Sequence, residues 1–499
     1  MSKDKEVNIL IEKLKSIMRC SLQKNNCERA MAAISAGCQI LYEYNQYYTD
    51  YAFEEGVVKI SDVFKRYFSN DLSCYKKCQD TILFYDGFGL DNRGVAKMYL
   101  NALKKNGYKI VYVTSNVSKG KLEKIQKILE DATAKTYYID FTKSYTKWTK
   151  DLLRVFLQTN PKSMFFYSTP HDVSGAVAFA VMEGLVDRFL IDLTDHAFWL
   201  GVRSNDFFCG SREMSASNQF FERGIERKRL IKLGVNLIID EGEADHLGLP
   251  FNVRETKYIF SGGALYKTLG DEEKYYYRIV DHILDFHRDV FFLYAGSGDT
   301  QMMKTILEKY PARAFLIPER KDFYYLIQNC ILYLNTYPMF GGLMMKYSAN
   351  AGKIPITLKH ENDSDGLLVD QKSRLIEYYS YEELIADVDK LLDDPEYLKT
   401  RETLLAGSVI SEERFVNNVR SAIEEHHTDY EHGQEHLDIT RFKKEYYDRF
   451  DLESTKMKIS KKINKSLFIN FIWMPIHCFK RVVNGSLINR IELFKHKEA

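Results

Sequence analysis

The feature of this 499-residue sequence that most constrains its fold is a rhythm: short apolar runs alternate with amphipathic stretches, and the series occurs twice. The first series holds Thr81–Tyr85, Lys109–Thr114, Tyr137–Asp140, Ser163–Ser168, Arg188–Asp192 and Asp206–Cys209. After a connecting stretch, Lys228–Glu255, the second holds Lys257–Phe260, Val290–Tyr294, Arg313–Ile317, Cys330–Leu334 and Ile354–Thr357. Continuous apolar runs of this length read as strands buried on both faces, and the stretches between them as helices that cover a parallel sheet. The expected class is therefore α/β, with two doubly wound Rossmann-like domains in succession. Such sheets bind ligands beyond the carboxyl ends of their strands, so the active site is expected in a cleft between the two domains.

Ahead of the first strand, apolar residues fall three and four apart (Ile9, Ile11, Leu14, Ile17, Met18, then Met31, Ile34, Ile40, Leu41), the period of helices. The expected domains are a helical one over 1–76, an acceptor-side Rossmann-like one over 77–255, a nucleotide-sugar-binding one over 256–425, and a polar segment with a basic amphipathic helical tail over 426–499. A chain of 58.3 kDa exceeds one ordinary core. With 45% apolar residues and only 9 prolines it belongs with soluble globular proteins, not disordered ones.

A formal charge of +1 leaves no footprint for nonspecific polyanion binding, so nucleic acid is not an expected partner. The charge is unevenly placed: Lys456–Ala499 carries ten Lys/Arg against two acids. Eight scattered cysteines form no CxxC pair and read as reduced thiols of a cytoplasmic protein, Cys74 and Cys78 among them as core thiols. The opening MSKDKEVNILIEKLKS interrupts its apolar residues with charges and lacks the apolar centre of a secretory signal. The run Ser466–Phe479 is 14 residues long and contains Pro475. That is short of the ~20 residues needed to span a bilayer.

Two nucleotide motifs are approached and missed. Asp86-Gly-Phe-Gly-Leu-Asp-Asn-Arg-Gly94 follows a strand, but its glycines are spaced G-x-G-x4-G and the next strand ends in Thr114-Ser115-Asn116 without an acid for a ribose. Ser261-Gly-Gly-Ala-Leu-Tyr-Lys-Thr268 resembles a Walker loop with Tyr266 where the glycine before the lysine must stand. Neither dinucleotide binding nor ATP hydrolysis is expected. His426, His427, His432 and His436 lie among Glu424, Glu425, Glu431 and Glu435 and read as a solvated helix, without the apolar shell of a metal site.

Chemistry concentrates in the second series. Gly262-Gly263 and Lys267 follow one strand, Gly296-Ser-Gly298 the next, and Gly341-Gly342 opens a helix that carries Lys346. A glycine pair at a helix N-terminus lets a phosphate reach bare N–H groups at the positive end of the helix dipole. Three glycine turns and a lysine describe a diphosphate pocket.

Phe260 to Lys267 with its Leu-Tyr-Lys, and Gly341-Gly342 to Gly352-Lys-Ile-Pro355, resemble the donor half of GT-B glycosyltransferases, both the common bacterial sugar transferases and the O-GlcNAc transferase and HMW1C-like group. Tyr381 to Arg401 is similar to the helix that follows this domain in many bacterial members. The resemblance implies a nucleotide sugar, a UDP-sugar above others, with Gly262, Gly263, Lys267, Gly341 and Gly342 on its diphosphate. Arg320, Tyr337 and Lys346 are implied as further donor contacts. Retaining members of the commonest bacterial kind carry two glutamates flanking the glycine pair, where this chain has Tyr337 and Met345. An inverting transfer is therefore expected.

Inversion needs a base, worth ~10²- to 10⁴-fold. His196 is the first choice and His171 the second, since both follow predicted strands; Asp195 and Trp199, with Asp86 and Gly87, complete the acceptor side. Neighbouring side chains in a strand point to opposite faces, so His196 and Asp195 need not meet. No aspartate pair calls for a metal, and no cofactor is expected. The Lys-rich tail around Leu467–Met474 fits either an anionic membrane surface or a helix docked on the N-terminal half. The expected function is sugar transfer to a protein, glycan or lipid-linked acceptor by a cytoplasmic enzyme, peripheral at the inner face of the membrane if the tail binds lipid. The alternatives are a catalytically silent GT-B subunit that stabilises a partner transferase and a nucleotide-sugar epimerase.

Overall fold

The computed structural model describes residues 3–44, 47–90, 94–239, 248–339, 341–359, 375–429, 436 and 451–463. The chain divides into two compact units: residues 1–233 together with 416–499, and residues 234–415.

Unit 1 is built on strands β1 (Cys78–Asp86), β2 (Lys109–Ser115), β3 (Lys135–Ile139), β4 (Pro161–Tyr167), β5 (Asp187–Ile191), β6 (Phe207–Gly210) and β7 (Leu230–Lys232). All pair in parallel, in the order β3-β2-β1-β4-β5-β6-β7. Unit 2 repeats the plan with β8 (Tyr258–Gly262), β9 (Phe291–Ala295), β10 (Ala314–Ile317), β11 (Leu332–Leu334), β12 (Ile354–Leu358) and β13 (Glu377–Tyr378), in the order β10-β9-β8-β11-β12-β13. Every expected strand forms. β7 and β13 were not expected, because three and two residues are too short to carry a period. In each sheet the order reverses beside the first strand, between β1 and β4 and between β8 and β11, which is where a doubly wound sheet opens a crevice for a ligand.

The first strands are the most enclosed. Residues 81–86 of β1 and all of β8 are buried, as continuous apolar runs under helices on both faces must be. In unit 1 a single apolar core runs from the N-terminal helices (Val7, Leu14, Ala33, Phe53) into the sheet (Leu83, Val111, Phe166). Helix Tyr51–Tyr67 starts where the Asp50 side chain accepts from the N–H groups of Ala52 and Phe53 at 3.1 and 3.2 Å. Gly37 of helix Cys27–Tyr44 has no Cβ for a packing reason: one placed there would lie 2.2 Å from the Phe53 ring.

The basic tail begins by docking on this unit. Helix Leu452–Ile463 packs on helix Cys27–Tyr44, with the Tyr44 hydroxyl donating to Thr455 Oγ1 at 3.1 Å and Lys456 paired with Glu6 and with Glu453. Lys456 is thus committed to protein carboxylates. The apolar run Ser466–Phe479 lies outside the described residues, among which no helix is long and apolar enough to cross a membrane.

Phe179 sits at the centre of unit 1, its ring 4.9 Å from Phe166, 5.5 Å from Phe156 and 6.2 Å from Tyr85. Phe179→Ala should cost about 3–5 kcal/mol, read as a lowered urea midpoint of the unit 1 transition.

Candidate functional site

At the switch point of unit 2 the chain leaves β8 through Gly263, whose φ of +130° is open to glycine and strained for any other residue. Its N–H donates to the Ala295 carbonyl at 3.0 Å, and its own carbonyl accepts from the Tyr294 hydroxyl at 3.1 Å. Gly296 passes so close that a Cβ on it would stand 1.9 Å from the Gly263 oxygen. The Leu265 N–H then donates to Ser297 O at 2.9 Å, which ties the turns after β8 and β9 together. Lys267 lies in the tight turn Leu265–Thr268 that follows, held by Thr268 Oγ1 on the Leu265 carbonyl (2.8 Å) and against the Tyr277 hydroxyl (2.6 Å).

After β11 the organising residue is Asn335, almost wholly buried. Its Nδ2 donates to Thr357 Oγ1 at 3.1 Å, and its Oδ1 accepts the Gly341 N–H at 2.9 Å. Thr336 Oγ1 donates to the Met339 carbonyl at 2.6 Å, and the Met339 N–H to the Lys267 carbonyl at 3.2 Å, joining the β11 loop to the lysine turn. Gly341 caps helix Gly342–Asn350 without a side-chain cap bond, and a Cβ on it would lie 3.9 Å from Lys267 Nζ. The half-buried Lys267 ammonium has no hydrogen-bond or ion-pair partner among the described residues. First-turn amides without intrahelical partners and a nearby uncompensated cation form an anion site.

Gly262, Gly263, Lys267, Gly341 and Gly342 are therefore gathered at one switch point. Of the other expected donor contacts, Arg320 follows β10, at the far edge of the sheet, and forks onto Asp322 with both bonds at 2.8 Å. Tyr337 is buried edge-on to Tyr275 at 6.1 Å, and Lys346 is buried within its helix.

The switch point of unit 1 is filled by carboxylates that hold turns. Asp86 Oδ1 accepts from the N–H groups of Phe88 (2.9 Å) and Gly89 (2.8 Å), and its Oδ2 from the Tyr112 hydroxyl (2.7 Å). Gly87 is pressed against Ser168, whose Oγ would lie 1.8 Å from a Cβ. Asp172, beside His171, takes Tyr85 and Ser168 hydroxyls and caps helix Val173–Val181 through the Gly175 N–H. Burial pushes its carboxyl up.

Beyond β5 a buried charge cluster surrounds His196. Its Nδ1 lies 3.4 Å from Asp195 Oδ1, so the two neighbours do meet: they stand in a loop, where strand alternation does not apply. Arg212 clasps Asp195 with Nε at 2.6 Å and Nη2 at 2.8 Å, and Ser215 Oγ adds a bond at 2.8 Å. Burial works to raise the Asp195 carboxyl, but Arg212 and His196 outweigh it and hold it well below its ordinary range. Asp192 goes the other way. Burial pushes it up to about 7 against the pull of Arg223, and Asp195 adds to the rise. Asp192 Oδ2 accepts from Gln219 Nε2 at 2.8 Å, while Oδ1 has no hydrogen-bond partner among the described residues. Trp199 is buried, its ring covered by the Arg223 guanidinium at 4.0 Å.

Sequence reading missed Asn335, Arg212, Gln219 and Arg223. Only Asn335 had a signal, a polar residue directly after a buried strand. Among the described residues no group of three or more His, Cys, Asp and Glu is arranged to hold a metal ion. His426, expected in a solvated helix, instead stacks on Phe207 at 4.2 Å; His432 lies outside the described residues.

No family model matches the sequence, and no curated protein matches it. Solved structures do resemble it. A glycosyltransferase from Rickettsia africae ESF-5 is 10% identical and matches over 70% of this chain and 98% of that one, with a TM-score of 0.51. The fold is GT-B. An O-GlcNAc transferase variant from Thermobaculum terrenum (12% identity, 88% and 84% coverage, TM-score 0.48) and the Anabaena protein HepE in complex with UDP-glucose (13%, 69% and 98%, 0.49) are similar at lower scores.

The raised Asp192 group has a pH signature. Between its ordinary 3.8 and about 7 the folded chain keeps a proton that the unfolded chain releases. Its contribution is full below pH ~4 and is lost as pH rises toward 7. Asp192→Asn, which cannot ionise, should show a smaller fall in melting temperature from pH 4 to pH 8 than the parent protein.

Proposed function

We propose that this GT-B protein is a glycosyltransferase, moving a sugar from a UDP-sugar to a hydroxyl or amide of a protein, glycan or lipid-linked acceptor with inversion. The observation that carries the reading is the Lys267 ammonium, without a partner among the described residues, beside the Gly341-capped helix at the β8/β11 switch point. The fold it shares with a protein described as a glycosyltransferase supports the same class.

In this reading the diphosphate sits on Lys267 and the first-turn amides of helix Gly342–Asn350, which meet the charge that develops on the leaving group. The acceptor oxygen, or the nitrogen of an amide acceptor, attacks the anomeric carbon while the bond from that carbon to the diphosphate oxygen breaks, and the electron pair departs with UDP. The acceptor proton goes to His196. In this reading Nδ1 faces Asp195, which Arg212 keeps ionised, and Nε2 is the nitrogen that takes the proton. No metal takes part in the proposed step. For a lipid-linked acceptor, the basic tail beyond residue 463 is the segment we propose to meet an anionic membrane surface.

Calorimetry with UDP and UDP-sugars, followed by hydrolysis and transfer assays, tests the reading. Lys267→Ala should lower kcat/KM by ~10²-fold, the size of one lost charge-stabilising donor, with Lys267→Arg keeping part of it. His196→Ala should lower transfer by ~10²- to 10⁴-fold and leave UDP affinity unchanged. An absence of heat across uridine, guanosine, thymidine and cytidine conjugates would overturn the proposal. Donor binding without turnover would point instead to a silent subunit of a partner transferase.

A further inference from the structure

Three side chains of the N-terminal helical segment reach the main chain of the two histidine loops. Ser35 Oγ donates to the His171 carbonyl at 3.1 Å, and the Tyr48 hydroxyl to the His196 carbonyl at 3.3 Å. Glu54, fully buried in helix Tyr51–Tyr67, takes the N–H groups of Gly201 (2.8 Å) and Val202 (3.0 Å) on Oε1 and of Arg203 (3.0 Å) on Oε2. Those three consecutive amides close the loop that begins after β5 and carries Asp195, His196 and Trp199. They form a backbone nest, and the chain itself supplies the carboxyl group that fills it; burial pushes that carboxyl up against the downward pull of the three amides.

We infer that the N-terminal helices are the positioning platform for the base-bearing loops of unit 1, with the Glu54 carboxyl group the internal acceptor that fixes the loop around His196. The contacts go to main-chain atoms, so they set where the loop runs whatever its side chains do. Arg223 completes the arrangement from the same unit, donating to the carbonyls of Tyr48 and Ala197 with its guanidinium over the Trp199 ring. Without the Glu54 side chain, three adjacent donors lose their acceptor, those of Gly201 and Val202 buried, and the loop relieves that loss by moving. The catalytic meaning of this platform rests on the transferase reading; the positioning itself does not.

Hydrogen exchange on the full chain tests it. In Glu54→Ala, exchange at the amides of 201–203 should speed up by ~10- to 100-fold, and added formate, small enough for the vacated nest, should slow it again. Glu54→Gln, which keeps the size and one acceptor oxygen, should fall between the two, and serves if the alanine variant does not fold. Turnover should drop through kcat while UDP affinity stays at the parent value, with formate restoring part of the rate. Unchanged exchange at these amides, or a loss of UDP affinity equal to the loss of turnover, overturns the inference. A parent protein without any turnover would sink the transferase reading instead, and the exchange and formate results would still decide the positioning role.

Discussion

In an all-parallel sheet the crossing helices must lie above or below, and where the strand order reverses, the loops after two adjacent strands turn to opposite faces and leave a gap. That constraint governs this protein twice, at β1/β4 and at β8/β11. The two gaps are treated differently. In unit 2 the gap is lined by main-chain amides and an ammonium without a partner among the described residues, with Asn335 clamping the Gly341 N–H and the β12 residue Thr357 through the two ends of one amide. In unit 1 it is packed with Asp86 and Asp172, whose oxygens are spent on turns and a helix cap. Among the described residues polar capacity is free in one crevice and consumed in the other, which favours unit 2 for the proposed donor.

The chemistry proposed for the acceptor side lies instead past β5 of unit 1, where burial and pairing pull two neighbouring carboxyls apart. Asp195, gripped by Arg212, is held well below the ordinary carboxylate range; Asp192 is pushed up, by burial first and then by the nearby Asp195 charge. A histidine beside a fixed anion is oriented by it, and opposed titration of paired acids is how a fold separates the roles of otherwise identical groups.

What the sequence made legible follows from range. Strands buried on both faces leave continuous apolar runs, so β1–β6 and β8–β12 could be read, and the glycine pair at 341–342 announced itself because only a helix start needs it there. β7 and β13 left no pattern. Arg212, 17 residues from Asp195, and Glu54, 147 residues from Gly201, belong to contacts made only by the fold, and no local spacing encodes them. Arg320 illustrates the opposite error: a cation after a strand looked available, but Asp322 two residues on had already claimed it. Asp195 and His196, which as strand neighbours need not have met, do meet because the loop abandons strand geometry.

The docking of helix Leu452–Ile463 on the N-terminal helices bears on how the chain reaches its fold during synthesis. Leu452 and Ile459 belong to the same core as Val7 and Phe53, whereas residues 234–415 carry a core of their own. The interior unit has everything it needs before the ribosome has made the last helix of the outer one. The outer unit, begun first, therefore waits with part of its apolar surface uncovered, and is the one for which a chaperone would be most useful while translation proceeds.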